Sequence, residues 1–280
     1  ASPRAFIHSA VSCAASALGK LGRPEAVPVL RGKLNGRNRL TRYSAVIALG
    51  QVAPRADEGT RGDCVGILTD LLASGSRGGM DVQARNFALV SLGRIAAVSD
   101  GEARGAAVSR LLRSLEERNA SHRNFAALGL GLACMGREDA YLAPVTDAVR
   151  GALARATGDV ESRGALCISA GLLRDIRSAE LLEGIVREKG DGALRGAAAL
   201  ALGLIGDPSA IAVVRGALAE KQDPQLRVDA AVAAGLLRDG EAVEILVGIL
   251  GDAKSSQFAL GSSAAALGRI GDERAVEPLS

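Results

Sequence analysis

Along this chain, runs of alanine, leucine, valine and isoleucine at helical spacing alternate with short polar breaks carrying glycine, aspartate and proline. The clearest example starts at Asp191. Its carboxylate can accept from the orphan N–H groups of a following turn, so it reads as an N-cap. An apolar segment of helical period then runs to about Ile205. Gly206-Asp207-Pro208 ends it: glycine accepts the left-handed position after a helix, and proline cannot continue one but opens the next. Ile211, Val213, Val214 and Leu218 fall on one side of a second helix and are expected in the core. A pair of short helices cannot bury both of its faces alone, so it needs neighbours of its own kind.

The chain supplies them. Aligning on Gly203 brings Gly171 and Gly235 into register without a gap, a period of 32 residues. In that frame Asp159, Asp191 and Asp223 coincide at the cap, with Arg163, Arg195 and Arg227 four residues on. Less regular copies carry Asn38, Arg42 and Gly50, then Asp81, Arg85 and Gly93, then Asn119, Arg123 and Gly131. Repeats are expected over about 4–35, 36–72, 73–118, 119–157, 158–189, 190–221, 222–253 and 254–280, the last incomplete. The second has its turn lengthened from Ala53 to Gly59, and the third follows a glycine-rich segment, Ser74–Gly79, that reads as a linker. In the fourth, the turn at Gly136 comes two residues late, which predicts an insertion inside its first helix. The eighth has Leu260 where the arginine belongs and stops within a second helix. A solenoid end needs a polar cap, so the polypeptide is expected to continue or to meet another surface there.

An Asp cap, an Arg soon after, Ala-x-x-Leu-Gly, a Gly-Asp turn and an Ala-Val-x-x-Leu second helix together resemble the HEAT-repeat family, in particular the short Ala/Gly-rich repeats of phycobilin lyases. The resemblance covers essentially the whole chain. It implies an all-α fold, a right-handed α-solenoid (superhelix) of about eight two-helix HEAT-like repeats, with the second helices lining the concave surface. It also implies that each acidic cap satisfies helix N–H groups and that each register arginine bridges to the next repeat's cap.

Composition sharpens this picture. With no tryptophan and only six aromatic residues, the core must be built from small aliphatic side chains and close helix approach. Thirty-five glycines exceed what turns require. Charge is uneven: residues 1–140 hold 19 Lys/Arg against 12 Asp/Glu, and residues 141–280 hold 15 against 19. No run approaches a membrane span. A cytoplasmic location is the expectation, with export open because the chain starts with Ala rather than Met.

No catalytic or metal-binding constellation stands out, and no cofactor is expected. Cys13, Cys64, Cys134 and Cys167 lack C-x-x-C spacing and read as buried free thiols. His8 and His122 have no second ligand nearby and read as exposed or helix-packed. The Ser74–Gly79 segment lacks the Gly-Lys-Ser/Thr ending of a P-loop. Asn119-Ala-Ser121 matches a glycosylation acceptor but reads as a cap. Lys33, Arg37, Arg39 and Arg42, joined by Arg31, form a basic cluster, yet only Tyr43 is near enough for stacking, so nucleic acid is disfavoured.

One recurrence is less easily absorbed into structure. Thirteen residues past the aligned glycine stand Gly32, Gly184, Gly216 and Gly248, pointing away from the predicted core side. An exposed glycine inside a helix costs about 1 kcal/mol against alanine. Crowding by neighbouring helices would explain it. A shallow groove for a partner's backbone would too, with Arg31, Glu180, Glu183, Arg187, Arg215 and Glu244 as walls beside Pro28 and Val247. The candidate function is a non-catalytic scaffold that binds another protein or peptide through this face and two protruding loops, 53–60 and 73–80. The alternatives are a bilin-lyase-like enzyme subunit or chaperone, and a nucleic-acid-binding solenoid similar to the alkyl-base DNA glycosylases.

Overall fold

The computed structural model describes residues 3–36, 38–73 and 81–276. Among them are fifteen α-helices: α1 Pro3–Leu21, α2 Ala26–Leu34, α3 Arg39–Val52, α4 Glu58–Ala73, α5 Val82–Val98, α6 Gly101–Leu115, α7 Ala120–Cys134 and α8 Leu142–Arg155, followed by α9 Val160–Leu172, α10 Ala179–Arg187, α11 Gly192–Ile205, α12 Ile211–Ala219, α13 Pro224–Leu237, α14 Val243–Gly251 and α15 Gln257–Ile270. They fall into two compact units, residues 1–145 and 146–280. In the first, α1, α3, α5 and α7 pack side by side and α2, α4 and α6 cover them as a second layer. In the second, α9, α11, α13 and α15 form the first layer and α10, α12 and α14 the second. The fold is an α-solenoid of two-helix repeats, in which each hairpin buries its apolar sides against its neighbours. The glycine-rich segment Ser74–Gly79 lies outside the described residues.

The caps follow the residue pattern. Asn38, Asp81, Asn119, Asp159, Asp191 and Asp223 each accept a hydrogen bond from the backbone N–H three residues on, for example Leu194 N at 2.9 Å from Asp191. Asn119 therefore serves as a cap. Ser256 does the same for α15. After the first helices, Gly206 and Gly271 take the left-handed conformation at φ 80° and 71°. At the same place in α9 and α13 the chain puts Arg174 and Arg238, with φ 51° and 53°.

The register arginines depart from expectation. Arg42 reaches the next cap, with Nη2 3.2 Å from Asp81. Most of the others turn back to carbonyls at the end of the preceding second helix or just past it: Arg85 to Leu72, Arg123 to Glu117 and Arg118, Arg195 to Val186 and Arg227 to Leu218. The last carbonyls of a helix have no partner within it, and a guanidinium supplies the missing donors. Arg163 and Arg195 also grip Glu188 and Glu220 with both terminal nitrogens.

The aligned glycines set the spacing of the first-helix layer. A Cβ added at Gly19, Gly171, Gly203 or Gly235 would lie 2.7–2.8 Å from the Cα of Ala48, Ala201, Ala233 or Ala266. Gly50 meets Ser91 and Gly93 meets Gly129 in the same way. Each partner stands two residues before the next repeat's own aligned glycine. Gly129 obeys that register relative to Gly131, so the extra residues of the fourth repeat are not inside its first helix ahead of the glycine. They lie between Gly131 and the left-handed Gly136, at the end of α7.

Candidate partner-binding face

Each second helix of the second unit turns one side to the first layer and the other outward. Leu182, Ile185 and Val186 of α10, Val214, Ala217 and Leu218 of α12, and Val243, Leu246 and Ile249 of α14 are buried. Ile211 and Val213, expected with them, are only half-buried. Val213 shares its position with Leu181 and Ile245, also half-buried, because the 100° step per residue carries it to the edge of the buried stripe.

Gly32, Gly184, Gly216 and Gly248 are all exposed, and a Cβ at any of them would meet nothing within 4 Å. Crowding therefore does not account for them; it belongs to the first-layer glycines. Gly216 lines a cleft of about 420 Å³ with Val186, Arg187, Ala212 and Val213. Gly248 lines another, about 590 Å³, with Ala219, Lys221, Arg227 and Ile245. Val213, expected in the core, and Ile245 thus border the open face.

The proposed walls divide. Glu180, Arg187 and Glu244 are exposed, and Glu183 is half-buried with its carboxylate 2.9 Å from Arg187. Arg215 is committed elsewhere. Its Nε and Nη2 lie 2.7 Å from the two oxygens of Asp239, and it also pairs with Glu241. Asp239 is buried and caps the turn before α14, so Arg215 ties α12 to that turn. Arg31 and Gly32 are exposed on α2 in the first unit, and the other eight candidates belong to the second.

A third cleft, about 580 Å³, lies between α4 and α6 in the first unit. Gly59, Gly62 and Gly66 line one side of it, with Val65, Ala103 and Ala106. The i, i+3, i+7 spacing of those glycines is legible in the sequence, but their offset from the repeat frame hid them.

Of the remaining candidates, Lys33 and Arg39 are exposed, whereas Arg42 and His122 are held in the structure. Arg42 points inward, bonding the Gly36 carbonyl at 2.8 Å as well as Asp81, while Arg37 lies outside the described residues. His122 is buried, its Nδ1 3.0 Å from Glu117, which also accepts from Arg110 and Ser114. The His8 side chain is outside the described set. Cys64, Cys134 and Cys167 are buried, and burial pushes the thiols of Cys64 and Cys167 up to about 12. Cys13, expected to be buried, is exposed, because α1 has no first-layer helix on its other side among the described residues. Arg104, which nothing in the repeat pattern flagged, is 2% exposed. It bonds the carbonyls of Ala96 and Ala133, pairs with Asp139 at 2.7 Å and lies over the Tyr141 ring. The absence of a side chain at Gly105 makes room for the Tyr141 hydroxyl.

Capped hairpins, a tightly spaced first layer and an open second layer define the class as an α-solenoid repeat protein. Residues 146–234 match the model for HEAT repeats, and residues 14–36 and 259–280 match that for the PBS lyase HEAT-like repeat. The chain belongs to the HEAT-repeat family. No curated protein matches it in sequence. Among solved structures it is similar to Kap121p bound to Pho4p, with a TM-score of 0.61, 13% identity, and coverage of 97% of this chain and 33% of that one. The chain thus spans about a third of that protein's length. It is also similar to the CpcE–CpcF complex of phycocyanin lyase from Nostoc sp. PCC7120, with a TM-score of 0.56, 19% identity and 92% coverage on both sides. YibA of E. coli matches with a TM-score of 0.56, 16% identity, and coverage of 99% of this chain and 89% of that one. At such identities the likeness is one of fold.

Proposed function

We propose that this HEAT-repeat protein is a non-catalytic scaffold that holds another protein or peptide against its second-helix face. The segment 53–60, expected to protrude as a loop, is instead a short 3-10 turn and the start of α4, with Ala53, Ala56 and Thr60 buried. The reading rests chiefly on Gly32, Gly184, Gly216 and Gly248. Each is exposed within a helix and touches nothing that a methyl group would displace. Each costs about 1 kcal/mol of helix stability against alanine, a cost that no intramolecular contact explains. A partner's backbone running over Gly216 and Gly248 would fill the clefts they line. The Kap121p structure, in which a solenoid of this fold is bound to Pho4p, supports the reading by analogy.

The test is affinity capture from the native source with immobilised wild-type protein and with the Gly184→Gln/Gly216→Gln variant. A protein retained by the wild type should fall at least tenfold on the variant while far-ultraviolet circular dichroism stays unchanged. Equal retention would overturn the reading. A second reading, a bilin-lyase-like subunit, is supported by the PBS lyase HEAT-like match and by the full-length likeness to CpcE–CpcF. A shift in tetrapyrrole absorbance on mixing with the protein would favour it over the scaffold.

A further inference from the structure

Three repeats of the second unit set a register arginine 25 residues before an acid, and in the third of them the pair is not made. Arg163 grips Glu188 with Nη1 and Nη2 at 2.9 and 2.6 Å. One repeat on, Arg195 grips Glu220 at the same two distances while its Nε donates to the Val186 carbonyl. Arg227 takes the same posture, its Nε donating to the Leu218 carbonyl one period past Val186. The matching acid is Asp252, one methylene shorter than glutamate. It is committed to its own turn, where its carboxylate accepts from the Lys254 N–H at 2.9 Å. Among the described residues no carboxylate pairs with Arg227, and its two terminal nitrogens have no acceptor.

Arg227 is half-buried and lines the cleft of about 590 Å³ together with Lys221, Ile245, Gly248 and Asp252. The sister cleft, where Glu220 lies against Arg195, is smaller at about 420 Å³. Two cations against one acid leave the larger cleft positive. A guanidinium fork partly screened from water pairs best with a carboxylate that can meet two of its nitrogens at once. Gly248 carries no side chain to obstruct the approach, since even a Cβ there would meet nothing within 4 Å.

We propose that Arg227 and Lys221 receive a glutamate side chain of the protein held on the second-helix face, in the place that Glu188 and Glu220 take against Arg163 and Arg195. The partner's backbone then crosses Gly248, and Ile245 offers its adjoining residue an apolar surface. The two internal pairs supply the template for the geometry and for the length of the acid. The inference rests on the scaffold reading for the protein that carries the glutamate, whereas the site itself is built from α12, α13 and α14 of this chain.

The probe is the peptide acetyl-Ala-Glu-Ala-amide, titrated into isotope-labelled protein and followed by NMR, with acetyl-Ala-Gln-Ala-amide as its neutral counterpart. The Arg227 Nε–H and the amides of Gly248 and Ile245 should shift saturably with the glutamate peptide and stay in place with the glutamine one. The Arg195 Nε–H should not respond, because its terminal nitrogens already hold Glu220. In Asp252→Glu the chain supplies its own carboxylate, so affinity for the peptide should fall about tenfold. Arg227→Gln should abolish the Gly248 shift. No saturable shift, an equal response of Arg195, an equal response to the glutamine peptide, or unchanged affinity in Asp252→Glu would overturn the proposal. Inorganic phosphate binding more tightly than the glutamate peptide would overturn the choice of occupant. The titration needs no partner, so its outcome is separate from capture by the Gly184→Gln/Gly216→Gln variant. A failed titration with successful capture removes this site and keeps the scaffold, and the reverse keeps a carboxylate site while the scaffold reading falls.

Discussion

Gly203 and Ala233 meet backbone to backbone: a Cβ on Gly203 would lie 2.7 Å from the Ala233 Cα and 2.9 Å from its Cβ. Gly216, thirteen residues later, has nothing within 4 Å. The same residue type therefore answers two different demands. Gly203→Ala should destabilise by about 2 kcal/mol, because overpacking outweighs the gain in helix propensity. Gly216→Ala should stabilise by about 0.5–1 kcal/mol, since only the propensity term acts. Urea unfolding of the pair checks both signs in one experiment.

Arg104, a buried cation, should be sensitive to substitution. Replacing it with Met would leave the carbonyls of Ala96 and Ala133 unpaired and Asp139 without its closest cation. A loss of about 3 kcal/mol is expected, in the range for breaking a buried ion pair. Arg104→Lys should recover less than half of it, because an ammonium cannot span both carbonyls and the carboxylate. Denaturant midpoints of the two variants measure the difference.

Asp81 links stability to pH. Burial raises its carboxyl, but hydrogen bonds from Ala84 N–H, Tyr43 and Arg42 outweigh that and hold it below the ordinary carboxylate range. A group depressed in the folded state stabilises fully above its unfolded value, about 3.9, and that contribution is lost as pH falls through the folded value. Asp81→Asn keeps the cap but not the charge. The variant should be less stable than wild type at neutral pH, and the two should converge as the pH drops below about 4. Parallel acid-unfolding curves without convergence would refute the assignment.

Arg238 holds a left-handed conformation that costs a side-chain-bearing residue about 1 kcal/mol. Arg238→Gly should therefore raise stability by about 0.5–1 kcal/mol, part of the gain being offset by the added freedom of glycine in the unfolded chain. Differential scanning calorimetry would show a higher midpoint, whereas Gly206→Arg at the matching place should lower it.

How much was legible in the chain itself differs from feature to feature. The caps at Asn38, Asp81 and Asp191, the left-handed Gly206 and the helix pairs are local: neighbours within four residues supply both donor and acceptor, so residue type and spacing suffice. The 32-residue period carried the stacking, because a hairpin with two apolar sides has few other ways to bury them. Tertiary structure decided where long side chains go and which glycines are crowded. Arg195 chose the Val186 carbonyl and Glu220 over the next cap because helix ends approach it in space. Arg104 found its partners 8, 29 and 35 residues away, through packing that no repeat frame encodes. Gly203 and Gly216 read alike as letters. Only the distance to the next helix, set by how the two layers pack, makes one a close contact and leaves the other open.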